Sequence, residues 1–321
     1  MDWNLVADIG GTHARFAIAQ KGVLKNLCVY GTRGKNSIEN ITESYVENVG
    51  SLPSKAVIAA AGVVKDGAVQ LSNANQCLTE SDLIPFTKNK QARIVNDFEA
   101  AAWSLVNFRN DDVQKLQGKR TRKYGNRVIL GPGTGLGVAA LTWCNQTPIV
   151  IPGEAGHCGI SPLTKDDYAV FDLVLEESPE CRFGSFYRIE AEALLSGVAI
   201  PRVYKAILSV DGLEKRELST KDIFDRARTG SDAHAQKTIA FFKRYLAQLA
   251  GDLAITFTAD GGVFIAGGVA MANPWIFDKE FLKAFNQGGT LSSLRADNAV
   301  YLVQNSELGL VGAMRAAESL F

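Results

Sequence analysis

An apolar strand that runs into a glycine-rich turn and returns as a second strand occurs twice in this sequence, and few folds accommodate that repetition. Leu5 to Ile9 is an apolar run of strand length, Gly10 and Gly11 break it, and His13 to Ala19 continues with alternation around Phe16 and Ile18. A third strand follows at Val23 to Tyr30. Downstream the layout returns as Arg127 to Leu130, a turn over Gly131 to Gly137, Val138 to Trp143 and then Pro148 to Ile151. Identity between the two stretches is slight, so what recurs is the layout.

The remaining periodicity fills in the chain. A helix over Ser37 to Val49 carries Ile38, Ile41, Tyr45 and Val49 on one stripe, and Lys55 to Ala61 reads as a buried strand. Gln91 to Asn96 reads as a strand entering a helix at Asp97 to Val106. Asn107 to Asn126 is poor in hydrophobic residues and is the candidate domain junction. Asp166 to Ala259 reads mostly helical and ends in a long helix from Ala233 to Thr258. Strands at Val263 to Ala266 and Val300 to Val303 and a helix from Leu308 to Leu320 close the chain. At 321 residues there is room for two packed domains.

Charge excludes several partners. Lys plus Arg and Asp plus Glu both total 34, so no net field holds nucleic acid or an anionic membrane. The densest basic stretch, Lys115 to Arg127, reads as a solvated connection. No apolar run spans a bilayer, and the first residues lack a signal peptide's basic region and apolar core. Cys28, Cys77, Cys144, Cys158 and Cys181 lie far apart with no C-x-x-C pair, which argues against a disulfide framework and a thiolate zinc site. A reducing cytoplasm is the expected location.

Three glycine turns follow strands: Asp8-Ile9-Gly10-Gly11-Thr12, Gly131-Pro132-Gly133-Thr134-Gly135-Leu136-Gly137 and Ala266-Gly267-Gly268. Glycine lets backbone N–H groups approach an anion with no Cβ in the way, although any one of these could be only a tight turn. No segment matches the P-loop pattern, and the first two turns lead into strands rather than helices, so neither a P-loop NTPase nor a Rossmann dehydrogenase fits. Asp97, at a strand end before a helix, reads on its own first as a helix cap and only second as a fixed base. In Pro152-Gly153-Glu154-Ala155-Gly156-His157, Pro and Gly prevent a helical metal site, leaving Glu154 and His157 as hydroxyl ligands or His157 as a core histidine. Glu192 could be an ordinary exposed helical residue.

The ordered set resembles the bacterial glucokinases of the sugar kinase, heat-shock chaperone and actin superfamily. The resemblance rests on Asp8 to Thr12, Asn96-Asp97-Phe98, Gly131 to Gly137, Pro152 to His157, Glu192 with Leu195-Ser196-Gly197, Phe264 to Gly268 and Gly309 to Ala313, across nearly the whole chain. Only Cys158 follows His157, so the likeness is to the zinc-free members. It implies an α/β fold of two ribonuclease H-like, actin-like ATPase domains with an interdomain cleft. The small domain would be residues 1–110 plus 304–321 and the large one 111–303.

The same resemblance implies phosphorylation of glucose at its 6-hydroxyl by ATP, yielding glucose 6-phosphate for glycolysis. Asp97 would be the general base, with Asn73, Asn96, Glu154, His157 and Glu192 on the other hydroxyls. Gly10, Gly11, Thr12, Gly133, Thr134 and Gly135 would meet the phosphates, Gly267 and Gly268 the adenosine, and Asp8 a Mg²⁺ ion through water. A homodimer is implied by the family alone. Three rivals stand beside this reading. A sugar-responsive repressor would need a DNA-binding module, for which the residues before the first strand leave no room; an actin-like or chaperone ATPase would lack the Glu154, His157 and Glu192 set. A kinase for another hexose would share everything but hydroxyl geometry.

Overall fold

The computed structural model of the chain describes residues 2–32, 37–71, 76–118 and 121–321. Contacts divide the molecule into two units. One is Met1–Arg109 with Ala139–Pro152 and Asn305–Phe321, and the other is Asn110–Val138 with Gly153–Gln304.

In the first unit, β1 (Asn4–Ile9) turns through Gly10 into the antiparallel β2 (His13–Gln20), and β3 (Val23–Gly31) adds outside β2. Helix α1 (Ile38–Val49) starts where the Ser37 side chain accepts from the Asn40 N–H and stops where Gly50 adopts a φ of 75°. Strand β4 (Ala56–Ala60) runs parallel to β1 and is buried along its whole length, as a strand covered on both faces must be. Sequence periodicity did not predict the small sheet that follows, made of β5 (Val64–Lys65), β6 (Ala68–Leu71) and β7 (Gln76–Thr79). Asp66 and Gly67, both at positive φ, turn β5 into β6.

Helix α2 (Glu80–Leu83) leads to β8 (Ala92–Asn96), parallel to β4, and α3 (Asp97–Ser104) follows without a break. The sheet order is β3-β2-β1-β4-β8. A side-chain period of two sends alternate residues to opposite faces. Leu5, Ala7, Ile9, Ala56, Ile58 and Ala60 pack with Ile38, Ile41 and Tyr45 of α1, while Val6, Val57 and Ala59 pack with Trp103 of α3 and Leu310 and Ala313 near the chain's end.

In the second unit, β9 (Val113–Gln117) takes up part of the basic stretch that reads from sequence as a solvated connection. It pairs at a sheet edge with Gln114 and Lys115 exposed, where charge discourages further pairing. Then come β10 (Arg127–Pro132), β11 (Leu136–Cys144) and β12 (Thr147–Gly153), of which Ala139–Pro152 is counted with the first unit, followed by β13 (Gly159–Ile160), α4 (Asp167–Glu177) and β14 (Ile189–Glu190). A helical layer of α5 (Glu192–Leu195), α6 (Ala199–Val210), α7 (Thr220–Thr229) and the 24-residue α8 (Ala233–Thr256) precedes β15 (Gly262–Ile265). Phe242, Tyr245, Leu246 and Ala250 of α8 sit in one core with Val128, Leu130 and Ile265 of the strands.

After α9 (Gly268–Ala272), α10 (Lys279–Asn286) and α11 (Ser292–Asp297), β16 (Val300–Val303) runs parallel to β15, and α12 (Leu308–Ser319) ends the chain. The second sheet is ordered β12-β11-β10-β15-β16-β9, so its first five strands repeat the order of the first sheet. Helix α12 belongs to the first unit and packs closely on α3: a Cβ added at Gly312 would stand 1.7 Å from the Ala100 carbonyl oxygen. Among the described residues no helix is long and apolar enough to cross a membrane.

Candidate active site

On the first unit the candidate residues share one sheet edge. Strand register pairs Ile9 with Ala60 and Ala60 with Asn96, so the Gly10-Gly11-Thr12 turn and Asp97 leave the C-terminal ends of parallel strands. Two strand spacings separate them, roughly 10 Å. The turn is closed by the Gly10 N–H donating to the His13 carbonyl at 3.0 Å, and Thr12 is exposed at its tip.

The helix cap is Asn96, not Asp97. Its Oδ1 accepts from the N–H groups of Phe98 (2.8 Å) and Glu99 (3.3 Å), and its Nδ2 donates to the Gly62 carbonyl at 2.8 Å. Asp97 is therefore the first helical residue, half-buried, and its Oδ1 accepts from the Phe98 N–H at 2.9 Å. The partial positive charge of the helix N-terminus favours its ionised form. Asn96, expected on a sugar hydroxyl, has its carbonyl oxygen engaged in the cap. Asn73 lies outside the described residues.

Asp8 has a partner that the hairpin register makes legible. β1 and β2 place Asp8 directly opposite Arg15, whose Nη1 donates to Oδ2 at 3.3 Å. Burial pushes the Asp8 carboxyl above the ordinary range, and Arg15 only partly offsets it. The start of α12 lies against the same carboxyl, since a Cβ at Gly309 would stand 2.5 Å from Asp8 Cγ. A lone carboxylate with one oxygen taken by Arg15 fits Mg²⁺, which keeps several waters and leans on substrate phosphates.

On the second unit, Leu136 ties the candidate residues together. Its N–H donates to Glu192 Oε2 at 2.7 Å, and its carbonyl oxygen would lie 1.9 Å from a Cβ at Gly156, so the Glu154–His157 loop packs directly on the glycine turn. Gly197 N–H donates to the Gly133 carbonyl at 2.7 Å, and Gly133 N–H donates to Gly135 at 2.8 Å. The Leu195-Ser196-Gly197 segment thus braces the turn. Gly267, at a φ of 86°, lies against Pro132, whose carbonyl oxygen a Cβ there would meet at 2.5 Å.

Glu154 and His157 are exposed, and His157 Nδ1 lies 3.2 Å from Glu190 Oε2. The Glu190 contact foremost, with Glu192, Glu190 and Glu154 nearby, raises the His157 pKa against the opposing effect of burial. Sequence reasoning missed Glu190, Arg15 and the approach of Gly309. Hairpin alternation could have found Arg15; Glu190 and Gly309 act across long separations that no local pattern records.

The candidate glycines fall into two kinds. Gly135, Gly156 and Gly267 have no room for a Cβ within the protein's own packing. Gly133 and Gly268 have no atom within 4 Å of a Cβ, and Gly10 only the His13 carbonyl at an ordinary 3.5 Å; none of the three is at positive φ. The fold does not demand glycine at those three positions, whereas a closely approaching ligand would.

A doubled sheet of this order, with a glycine turn after the first strand of each copy, is the actin-like ATPase fold of the sugar kinases. The sequence profile of the glucokinase family matches residues 5–320. A glucokinase of Rhizobium meliloti is 33% identical over 312 residues, covering 96% of this chain and 90% of its own. The crystal structure of a glucokinase from an Antarctic psychrotroph superposes with a TM-score of 0.86 at 28% identity, covering 99% of each chain. At 20% identity, a ROK family glucokinase from Streptomyces griseus, solved with glucose and AMPPNP, shares the fold with a TM-score of 0.60 over 97% of this chain and 98% of its own. The chain belongs to the glucokinase family, and so is a hexose kinase, a phosphotransferase.

Proposed function

We propose that this protein transfers the γ-phosphoryl group of ATP to the 6-hydroxyl of glucose, with Asp97 as the general base. Family membership supports the reaction. The observation that carries the residue roles is the sheet edge of the first unit, where a glycine turn and a carboxylate leave the same ends of the two parallel strands that flank β4. Phosphoryl transfer needs positioning and charge neutralisation more than covalent chemistry. A base, an anion cradle and acceptors for sugar hydroxyls suffice.

In this reading Asp97 accepts the 6-hydroxyl proton as that oxygen attacks. Glu154, His157 and Glu192 hold the remaining hydroxyls, joined by Asn96 through its second Nδ2 hydrogen and by Asn73. Gly11, Thr12, Thr134 and Gly135 offer backbone N–H groups to the phosphates; Gly10 and Gly133, whose N–H groups are engaged within their turns, admit the phosphates by lacking a Cβ, and Gly267 and Gly268 accommodate the adenosine. Asp8 would hold Mg²⁺ through water, and the ion when bound neutralises phosphate charge. The five free thiols accord with action in a reducing cytoplasm. The family precedent for a homodimer is checked by light scattering.

Replacing Asp97 by Ala tests the central role. Turnover should fall by about 10²- to 10⁴-fold, the usual share of a general base, with glucose affinity followed by tryptophan fluorescence nearly unchanged. A comparable fall in affinity would instead make Asp97 a binding residue.

A further inference from the structure

Glu190 is a carboxylate in direct contact with the candidate sugar ligand His157, and the family resemblance gives it no role. The two-residue strands β13 and β14 pair antiparallel, setting Gly159 opposite Glu190, and the Ala191 N–H donates to the Cys158 carbonyl at 2.9 Å. That pairing brings Glu190 Oε2 to 3.2 Å from His157 Nδ1. The other titratable groups facing the pair are Glu154 on the histidine's own loop, Glu192 at the start of α5, and the Cys181 thiol. Of the cations beside β14, Arg188 donates to the Gly159 carbonyl and Arg182 is bridged through its backbone to Ile189.

We propose that Glu190 is a positioning residue that makes His157 a two-donor clamp, Nδ1–H held by Glu190 and Nε2–H offered to a hydroxyl oxygen of the bound sugar. The chemistry of the set calls for it. Ionised Glu154 and Glu192 can only accept, so hydroxyls donating to them present lone pairs that need a donor, and a doubly protonated imidazole supplies one. An ionised Glu190 excludes the neutral tautomer whose Nδ1 lone pair would face its carboxylate. The neutral ring beside Glu190 must carry its proton on Nδ1, leaving Nε2 an acceptor. Loss of one proton therefore turns Nε2 from donor to acceptor, and the raised His157 pKa moves that loss to higher pH. The inference rests on His157 as a sugar ligand.

The test is the pH dependence of the glucose KM in wild type, Glu190→Gln and Glu190→Ala, with the His157 ring titrated by NMR in each. In wild type the KM should rise on the order of tenfold as pH passes the His157 pKa, the loss expected when a charge-assisted bond is broken. Glu190→Gln can donate its amide to Nδ1 and stabilise the neutral Nε2–H tautomer, so its KM should be nearly flat with pH. Glu190→Ala should lower the His157 pKa and, with no carboxylate holding the proton on Nδ1, leave only a blunted rise, since the neutral ring can then keep its Nε2–H. Superimposable KM profiles, or a ring that titrates alike in all three proteins, would overturn the proposal. A His157→Gln variant with an unaltered glucose KM would remove the sugar-ligand reading itself, and the clamp with it, whatever the NMR shows of the Glu190 contact.

Discussion

Two glycines in the closing helix allow a sharp comparison, because adding one methyl to each meets a different neighbour. At Gly312 a Cβ would stand 1.7 Å from the Ala100 carbonyl oxygen and 2.4 Å from its carbon. Restoring ordinary contact requires α12 and α3 to part by about 1.5 to 2 Å, since carbon contacts favour roughly 3.5 Å or more. Overpacking a core typically costs about 1 to 3 kcal/mol, and a rigid backbone neighbour puts Gly312→Ala at the top of that range. For a chain of this size that lowers Tm by about 6 °C, taking about 2 °C per kcal/mol.

At Gly309 the methyl would meet Asp8 instead, 2.5 Å from Cγ and 2.7 and 2.8 Å from the two oxygens. A side chain yields more readily than a backbone, so Gly309→Ala should melt only about 2 to 4 °C lower. Its carboxylate, however, moves by about 1 Å, a displacement that can reduce a rate on the order of 100-fold when the group serves the reaction. Initial rates against MgATP, beside thermal melts of both variants, separate the two. Gly309→Ala with wild-type kinetics in MgATP would refute the role of Asp8, and an undiminished Tm for Gly312→Ala would refute the packing argument.

Substituting the unblocked glycines should invert that pattern. Gly133→Ala and Gly268→Ala are expected to keep the wild-type melting temperature while the KM for ATP rises about tenfold, which parallel melts and initial rates would check. Gly135→Ala would push a Cβ to within 2.5 Å of Glu192 Oε2 and disturb its bond to the Leu136 N–H, so both stability and glucose KM should suffer. Burial raises the Asp8 pKa, so the protonated carboxyl contributes stability that is present below the ordinary value of 3.8 and is lost as pH rises through the folded value. Asp8→Asn should therefore melt higher than wild type at neutral pH, and lose MgATP-dependent turnover; a lower Tm would mean that Arg15 outweighs burial.

Local patterns made the strands legible and the contacts between distant segments illegible. The apolar run Leu5 to Ile9, its glycine break and the alternation beyond it specify a hairpin, and even the Asp8–Arg15 pair is implicit in that register. Asp66-Gly67 between Val64 and Ala68 is a turn signal for the small sheet, but strands of two and four residues are too short to show a period. The cap falls on Asn96 rather than Asp97: both residue types cap helices, and only backbone geometry decides which one precedes the first turn. Glu190 and Gly309 could not be read, since 33 residues separate Glu190 from His157 and folding alone joins Gly309 to Asp8.

Glycine content is where sequence and structure need each other most. In the sequence, Gly133 and Gly135 are indistinguishable members of one turn. In the fold, Gly135 is required by Glu192, which would collide with any side chain there, while Gly133 faces space that the protein leaves open. A glycine that packing does not require still carries the entropic penalty of a flexible backbone, so its presence calls for another cause. Gly10, Gly133 and Gly268 each follow a strand of one of the two sheets and each meet that condition. In the proposed reading, close approach by phosphate or nucleotide supplies that cause at each position.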